Sequence, residues 1–334
     1  MERRTLGGIG QVSVLTLGGG GLGQVWGATS HDEAVATVRE AVDAGIDLVD
    51  VAPGYGAGEA ERVVGAAFAG RLPAGVRVAT KCGLGNPAPD DVPALLEKSL
   101  DDSLQRMRLS FADVFFLHNP IVAHAEPGAT GATPASLFAD VVRPAFEDLV
   151  RRGRIGAWGI TAVEEPDAII RVLGEGPPPA AAQCVTNLLD SPGDLLQFGT
   201  GSRPRDILSA AGRHGVGVLG IRAVAAGALT DAVDRDLPPE HPTMVDFRRT
   251  APLRALAREL GESTASLAHQ YALSMPGVDT VVLGVKNRAE LRECLAAASA
   301  GVLAPDIMAA MRALADGGAA RRAAATYSGP PGIR

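Results

Sequence analysis

Short runs of strand-forming residues alternate along this chain with stretches whose apolar residues keep helical spacing, and no other feature constrains the fold as tightly. The runs are Ser13 to Gly18, Leu48 to Val51, Val76 to Thr80, Ala112 to Leu117, Ile155 to Ile160, Ala181 to Val185, Val216 to Ile221 and Thr280 to Leu283. The clearest helical stretches are His31 to Asp43, Ala57 to Phe68, Asp90 to Arg108, Ala135 to Arg152, Asp206 to Arg213 and Pro252 to Glu259. Strands joined by helical crossovers lie parallel, because each helix carries the chain back to the same edge of the sheet. Eight such units in 334 residues, with no compositional break to mark a linker, predict a closed (β/α)8 barrel, or TIM barrel, over residues 1–316 as one domain. A small β-hairpin is expected near residues 3–14. The stretch from Gly317 to Arg334 has little to bury and is expected to be disordered or to fold over the site.

Local punctuation agrees with this frame. Ser30 and Glu33 have capping-box spacing, so that the serine oxygen takes an orphan amide while the glutamate reaches back to the cap. Gly45 and Gly153 follow their helices as left-handed stops. Asn119 to Thr133 and Leu188 to Pro204 follow the fourth and sixth strands and are rich in small and turn-forming residues. Barrel enzymes build their sites at strand C-termini, so both are expected to be substrate loops.

Composition narrows the function classes. With 31 Lys and Arg against 38 Asp and Glu, the chain offers no basic field for nucleic acid or a membrane surface, and neither is expected as a partner. No apolar run approaches the ~20 residues that span a bilayer, and the N-terminus lacks the apolar core of a secretory signal. Cys82, Cys184 and Cys294 are scattered, which fits a reducing cytoplasm. They have no metal-ligand spacing, and no metal is expected. Oligomeric state does not follow from these patterns.

Gly18-Gly19-Gly20-Gly21-Leu22-Gly23 fits the G-x-G-x-x-G pattern of a Rossmann dinucleotide turn, with Asp43 and Asp47 about the right distance beyond it. In that fingerprint the last glycine opens the helix that meets the pyrophosphate, whereas here the next helix starts at Ser30. The barrel is preferred. The run is read as a first-strand loop whose bare backbone at Gly20 and Gly21 lets a cofactor approach, with a plain flexible turn as the competing reading.

Ionisable residues stand at the ends of three successive strands: Asp50 with Tyr55 after the second, Lys81 on the third, His118 after the fourth. Each alone has a structural explanation as a cap, a packed ring or a solvated strand end. Together they form a proton-transfer device. A tyrosine hydroxyl titrates near about 10 in water, an adjacent ammonium lowers that value, and a carboxylate holds the lysine charged. Tyr55 is then the general acid for reducing a C=O, or the general base for oxidising the alcohol, while His118 positions the carbonyl or relays the proton. No side chain donates hydride, so a nicotinamide cofactor is implied. Trp26, beyond the glycines, is a candidate wall of the substrate pocket together with Tyr55 and His118; core packing is its alternative.

The segment Gly45 to Gly65, with its five-residue step from Asp50 to Tyr55, followed in order by Asp113 to Pro120, Gly153 to Thr161 and Val282 to Asn287, resembles the aldo-keto reductase superfamily. The resemblance covers roughly residues 1–305. It implies a (β/α)8 barrel with Asp50, Tyr55, Lys81 and His118 as the catalytic tetrad, Asp50 also facing the cofactor. It places Thr161 and Gln183 at the nicotinamide carboxamide, with Ala162 where the family often has Asn. On the seventh strand the usual stacking tyrosine is absent, which leaves Ile221 or Arg222 to supply that surface; a carboxylate partner is the alternative role for Arg222. Gly227 and Leu229 would cradle the pyrophosphate. Lys286, Asn287 and Arg288 fall where the family holds the adenosine 2′-phosphate, so NADPH is preferred over NADH, although Glu290 and Cys294 depart from the common residues there. His118, rather than the Glu of relatives that reduce steroid double bonds, argues for carbonyl chemistry.

The leading expectation is an NADP(H)-dependent oxidoreductase that reduces an aldehyde or ketone, its partner a small-molecule carbonyl substrate. An NAD(P)-dependent sugar or aldose dehydrogenase is the second reading. A nucleotide-sensing regulatory protein on a reductase barrel, like the potassium-channel β subunits that share this fold, is the third.

Overall fold

The computed structural model describes residues 1–197, 201–315 and 317. Eight parallel strands close into a barrel: β1 (Leu15–Gly18), β2 (Leu48–Asp50), β3 (Arg77–Cys82), β4 (Ala112–Leu117), β5 (Ile155–Ala162), β6 (Ala181–Val185), β7 (Gly217–Ile221) and β8 (Thr280–Leu283). Each strand pairs with its sequence neighbours, and β8 returns to β1 with Val281 opposite Leu15 and Leu283 opposite Leu17. The expected barrel and N-terminal hairpin are both present. The hairpin joins Arg3–Leu6 to Gly10–Ser13 antiparallel and takes Ser13 for itself, so the first barrel strand starts at Leu15. At their far ends β3 and β5 run further than their apolar runs imply, and this places Lys81 and Thr161 on strands.

Helices follow every strand: α1 (His31–Asp43), α2 (Glu59–Phe68), α3 (Val92–Met107), α4 (Arg143–Arg151), α5 (Pro166–Gly174), α6 (Pro204–Arg213), α7 (Thr264–Ser274) and α8 (Arg288–Ser299). In α1 the buried residues Ala34, Thr37, Val38 and Ala41 form one stripe facing the barrel. Gly45 and Gly153 have the positive φ expected of helix stops, 93° and 68°. The stretch from Ala135 is not one regular helix, since a π-helical turn at Phe138–Val142 precedes α4. α7 lacks an amphipathic signature because nearly every side is covered, Thr264 and Ser266 through Leu273 all being buried. Ser30 caps α1 by accepting from the Glu33 amide at 3.1 Å. The Glu33 carboxylate does not complete a capping box; it pairs with Arg288 instead.

Two apolar regions hold these layers. The larger lies between strands and helices. The smaller fills the barrel itself, where Leu48, Ala79, Val114, Phe116, Ala181 and Leu219 point inward and Leu6 and Val12 of the hairpin close the floor. The chemistry is therefore confined to the opposite mouth, at the C-terminal ends of the strands. Among the described residues no helix is long and apolar enough to cross a membrane. The tail expected beyond Gly317 lies outside the described residues.

Candidate active site

Asp50 ends β2, Lys81 lies near the end of β3, His118 follows β4, and Tyr55 stands on the turn after β2. The barrel brings the four together. Lys81 is fully buried, and its Nζ donates to Asp50 Oδ2 at 2.8 Å and to the Val51 carbonyl at 3.1 Å. The same ammonium sits 4.7 Å from the centroid of the Tyr55 ring. The Tyr55 and His118 rings meet edge to face, 5.6 Å apart at 89°.

These contacts set the charge states. Burial works against the Lys81 charge, but Asp50 and Tyr55 more than offset it and hold the ammonium above its ordinary range. Burial raises the Tyr55 pKa; Lys81 opposes this and Asp50 adds to it. The lysine therefore does not bring the tyrosine below its ordinary value, contrary to the expectation from the residues alone. Tyr55 keeps its proton near neutral pH. His118 is pushed down to about 3, by burial first and by the Lys81 charge second, so its imidazole is neutral. Cys82, next to Lys81, gains no acidity: burial raises its pKa.

The tetrad opens into a cleft of about 820 Å³. Trp26, Thr161, Gln183, Ile221, Arg222, Gly227 and Lys286 line it, as do Asn119, Pro120 and Gly131 from one expected substrate loop and Leu195 and Gln197 from the other. Thr161 on β5 and Gln183 on β6 are register partners, and Thr161 Oγ1 and Gln183 Nε2 are both buried without a hydrogen-bond partner. Asp50 Oδ1 is in the same condition. Buried polar atoms are almost always paired. A hydroxyl beside an amide donor matches the acceptor and donor of a primary carboxamide, so these residues fit the nicotinamide end of a dinucleotide.

Other expected cofactor contacts are placed differently. The glycine run is a helical turn, Gly19–Leu22, rather than a loose loop. Its bareness serves the chain itself: a Cβ on Gly20 would fall 2.6 Å from Trp26 Nε1, and one on Gly21 would fall 2.0 Å from the Val285 carbonyl oxygen. Gly20 still borders the cleft, whereas Gly21 faces the end of β8. Leu229 is fully buried in the core, and Asn287 caps α8 by accepting from the Glu290 amide at 3.0 Å. Arg222 takes its alternative role in part, pairing with Asp194 and the Pro192 carbonyl, while its Nε and Nη1 stay buried and unpartnered. Its guanidinium also lies 5.5 Å from the Trp26 ring centroid. The backbone here is left-handed at three non-glycine residues, Arg222, Ala225 and Ala226, the strained kind of geometry that clusters at binding sites.

Asn119 belongs to an expected substrate loop, whereas Glu164 and Asp234 carried no local signal. Asn119 ties two loops together, its Oδ1 accepting from the Gly85 amide at 2.7 Å and its Nδ2 donating to the Thr130 carbonyl at 2.9 Å. Glu164, after β5, is buried in the cleft wall and accepts from the Gln197 amide. Asp234 pairs with Lys286. Only the return of distant loops to one rim gives these residues a role, and periodicity does not report that.

Comparison with known proteins agrees with the geometry. The model of the Aldo/keto reductase family matches residues 14–316. The chain is 29% identical to an L-galactose dehydrogenase of Arabidopsis thaliana over 89% of its own length and 88% of that protein's. It is 26% identical to a D-threo-aldose 1-dehydrogenase of a Pseudomonas species, over 84% and 88% of the two chains. The structure of a glycerol dehydrogenase from Gluconobacter oxydans superposes with a TM-score of 0.71 at 22% identity, covering 98% of both chains, which supports the fold.

Proposed function

Because the chain belongs to the aldo/keto reductase family, we propose that it interconverts a carbonyl compound and its alcohol, with Tyr55 moving the proton and a nicotinamide dinucleotide as redox partner. The observation that carries this reading is the buried Asp50–Lys81 pair beneath a tyrosine that keeps its proton. Thr161 and Gln183 would hold the carboxamide through the two atoms the chain leaves unpaired. When bound, the nicotinamide supplies hydride to a carbonyl carbon or accepts it from an alcohol.

The chain's own part is the proton and the positioning. In reduction the Tyr55 hydroxyl gives its proton to the carbonyl oxygen, and the phenolate that remains is stabilised by the Lys81 ammonium, which Asp50 keeps charged. In oxidation the same tyrosine removes the alcohol proton. His118, neutral over the physiological range, has no imidazolium proton to give, and its role in this reading is to orient the oxygen by hydrogen bonding.

A sugar dehydrogenase is the second reading, favoured by the two relatives named for aldoses and by the polar wall of Glu164, Gln197 and Arg222. The test is steady-state turnover of the full chain on 4-nitrobenzaldehyde with reduced nucleotide and on L-galactose with oxidised nucleotide, for wild type and Tyr55→Phe. Turnover that falls about 10²- to 10⁴-fold in the variant, with nucleotide affinity kept, supports the assignment. Equal turnover overturns Tyr55 as the proton carrier. Nucleotide binding without turnover on any carbonyl or alcohol favours the regulatory reading.

A further inference from the structure

The two cations expected to meet a 2′-phosphate are not free. Lys286 is held between Asp234 and Glu290, the latter 3.1 Å from its Nζ. Arg288 forms a two-pronged pair with Glu33, Nε to Oε1 at 3.1 Å and Nη2 to Oε2 at 2.9 Å. The amides at the start of α8 are spent in the same way. Arg288 N donates to Glu33 Oε1 at 3.0 Å, Lys286 N to Glu290 Oε2 at 2.9 Å, and Glu290 N to Asn287 Oδ1 at 3.0 Å. Three cations, Lys286, Arg288 and Arg235, the last 3.3 Å from Asp234 Oδ1, are thus matched by three carboxylates at this rim, and Glu293 adds a fourth carboxylate to the cleft lining.

A phosphate monoester carries about −1.5 to −2 charges near neutral pH, and it would have to displace these carboxylates before reaching either cation or the helix amides. A ribose hydroxyl meets the opposite situation, since a carboxylate accepts its hydrogen bond. Dinucleotide sites of other folds divide in this way: an acidic residue at the ribose selects the unphosphorylated nucleotide, and a free arginine the phosphorylated one. We infer that the adenosine end of this cleft excludes a 2′-phosphate, so that the chain takes NAD(H) in preference to NADP(H). The inference rests on the dinucleotide reading above and reverses the preference expected from the sequence, because Lys286 and Arg288 are matched by Glu290 on the next helical turn and by Asp234 and Glu33 far away in the chain.

The test is equilibrium calorimetry of the full chain with NADH and NADPH, alongside two variants that free the cations, the double substitution Asp234→Asn with Glu290→Gln and the single Glu33→Gln. NADH is expected to bind about tenfold or more tightly than NADPH in wild type. Either variant should narrow that ratio by tightening NADPH, and the loss of a charged acceptor for the ribose hydroxyl, which weakens NADH, narrows it further. Equal or tighter NADPH binding by wild type overturns the inference, as does an unchanged ratio in both variants when circular dichroism shows them folded. Failure of both nucleotides to bind overturns the dinucleotide reading itself, a result distinct from a reversed preference.

Discussion

Asp47 and Asp50 stand three residues apart in the chain, one before β2 and one at its end, and they meet opposite fates. At the floor of the barrel Asp47 is saturated: Oδ1 accepts from Ser13 N at 2.9 Å and Ser13 Oγ at 3.1 Å, and Oδ2 pairs with Arg3 at 2.5 Å and Arg77 at 3.4 Å. At the mouth Asp50 Oδ2 holds Lys81 while Oδ1 is buried with no partner. The floor consumes its polar capacity within the chain and seals itself with Leu6, Val12 and Phe116. The mouth keeps polar atoms unpaired at Asp50, Thr161, Gln183 and Arg222. One strand therefore serves structure at its start and chemistry at its finish.

The strongest way to break this division is Lys81→Met. It removes the charge that supports the phenolate and strands a buried carboxylate, so turnover should fall about 10²- to 10⁴-fold. Chemical denaturation should show about 3–5 kcal/mol of lost stability. Asp47→Asn should do the reverse, costing about 1–3 kcal/mol by denaturation with turnover within a few-fold of wild type. Comparable losses of turnover in Asp47→Asn and Asp50→Asn would erase the distinction between the two ends.

Thr161→Val sharpens it further. The hydroxyl it removes is unpaired in the fold, so stability should hold or rise slightly while nucleotide affinity drops about fivefold, the worth of roughly 1 kcal/mol.

A change that leaves turnover near neutral pH untouched concerns acid. His118 is neutral when folded, with its pKa near 3, and titrates near about 6.5 when unfolded. The unfolded chain therefore binds the extra proton between those values, so stability is lost as pH falls from about 6.5 toward 3. The loss should be shallower in His118→Asn, as followed by thermal unfolding at successive pH values.

The periodic scaffold was readable because strands and helices declare themselves locally. Asp50, Tyr55, Lys81 and His118 were readable because each sits at a strand end and the barrel forces those ends into one ring. The adenosine rim was not. Beside Glu290 four positions on, Lys286 meets an aspartate 52 positions earlier, and Arg288 meets a glutamate 255 positions earlier, two partners that no local pattern connects to them. Glu33 misled for a related reason: its spacing to Ser30 suits a capping box, but a bidentate guanidinium was the stronger partner. The glycine run has the spacing of a phosphate loop, yet its missing side chains make room for Trp26 and the end of β8.

The hairpin that floors the barrel also sets an order of events during synthesis. Leu6 packs with Ala181 and Leu219, and a Cβ on Gly7 would lie 2.2 Å from the Ala180 carbonyl oxygen, so the hairpin's docking surface is complete only when β6 and β7 have emerged. β1 waits longer still, because one of its two partners is β8. Pairings so distant in sequence close slowly and leave strand edges open while they wait. Damage to the N-terminal hairpin should therefore be felt first as a lower yield of folded chains, with the molecules that do fold retaining their chemistry at the far end.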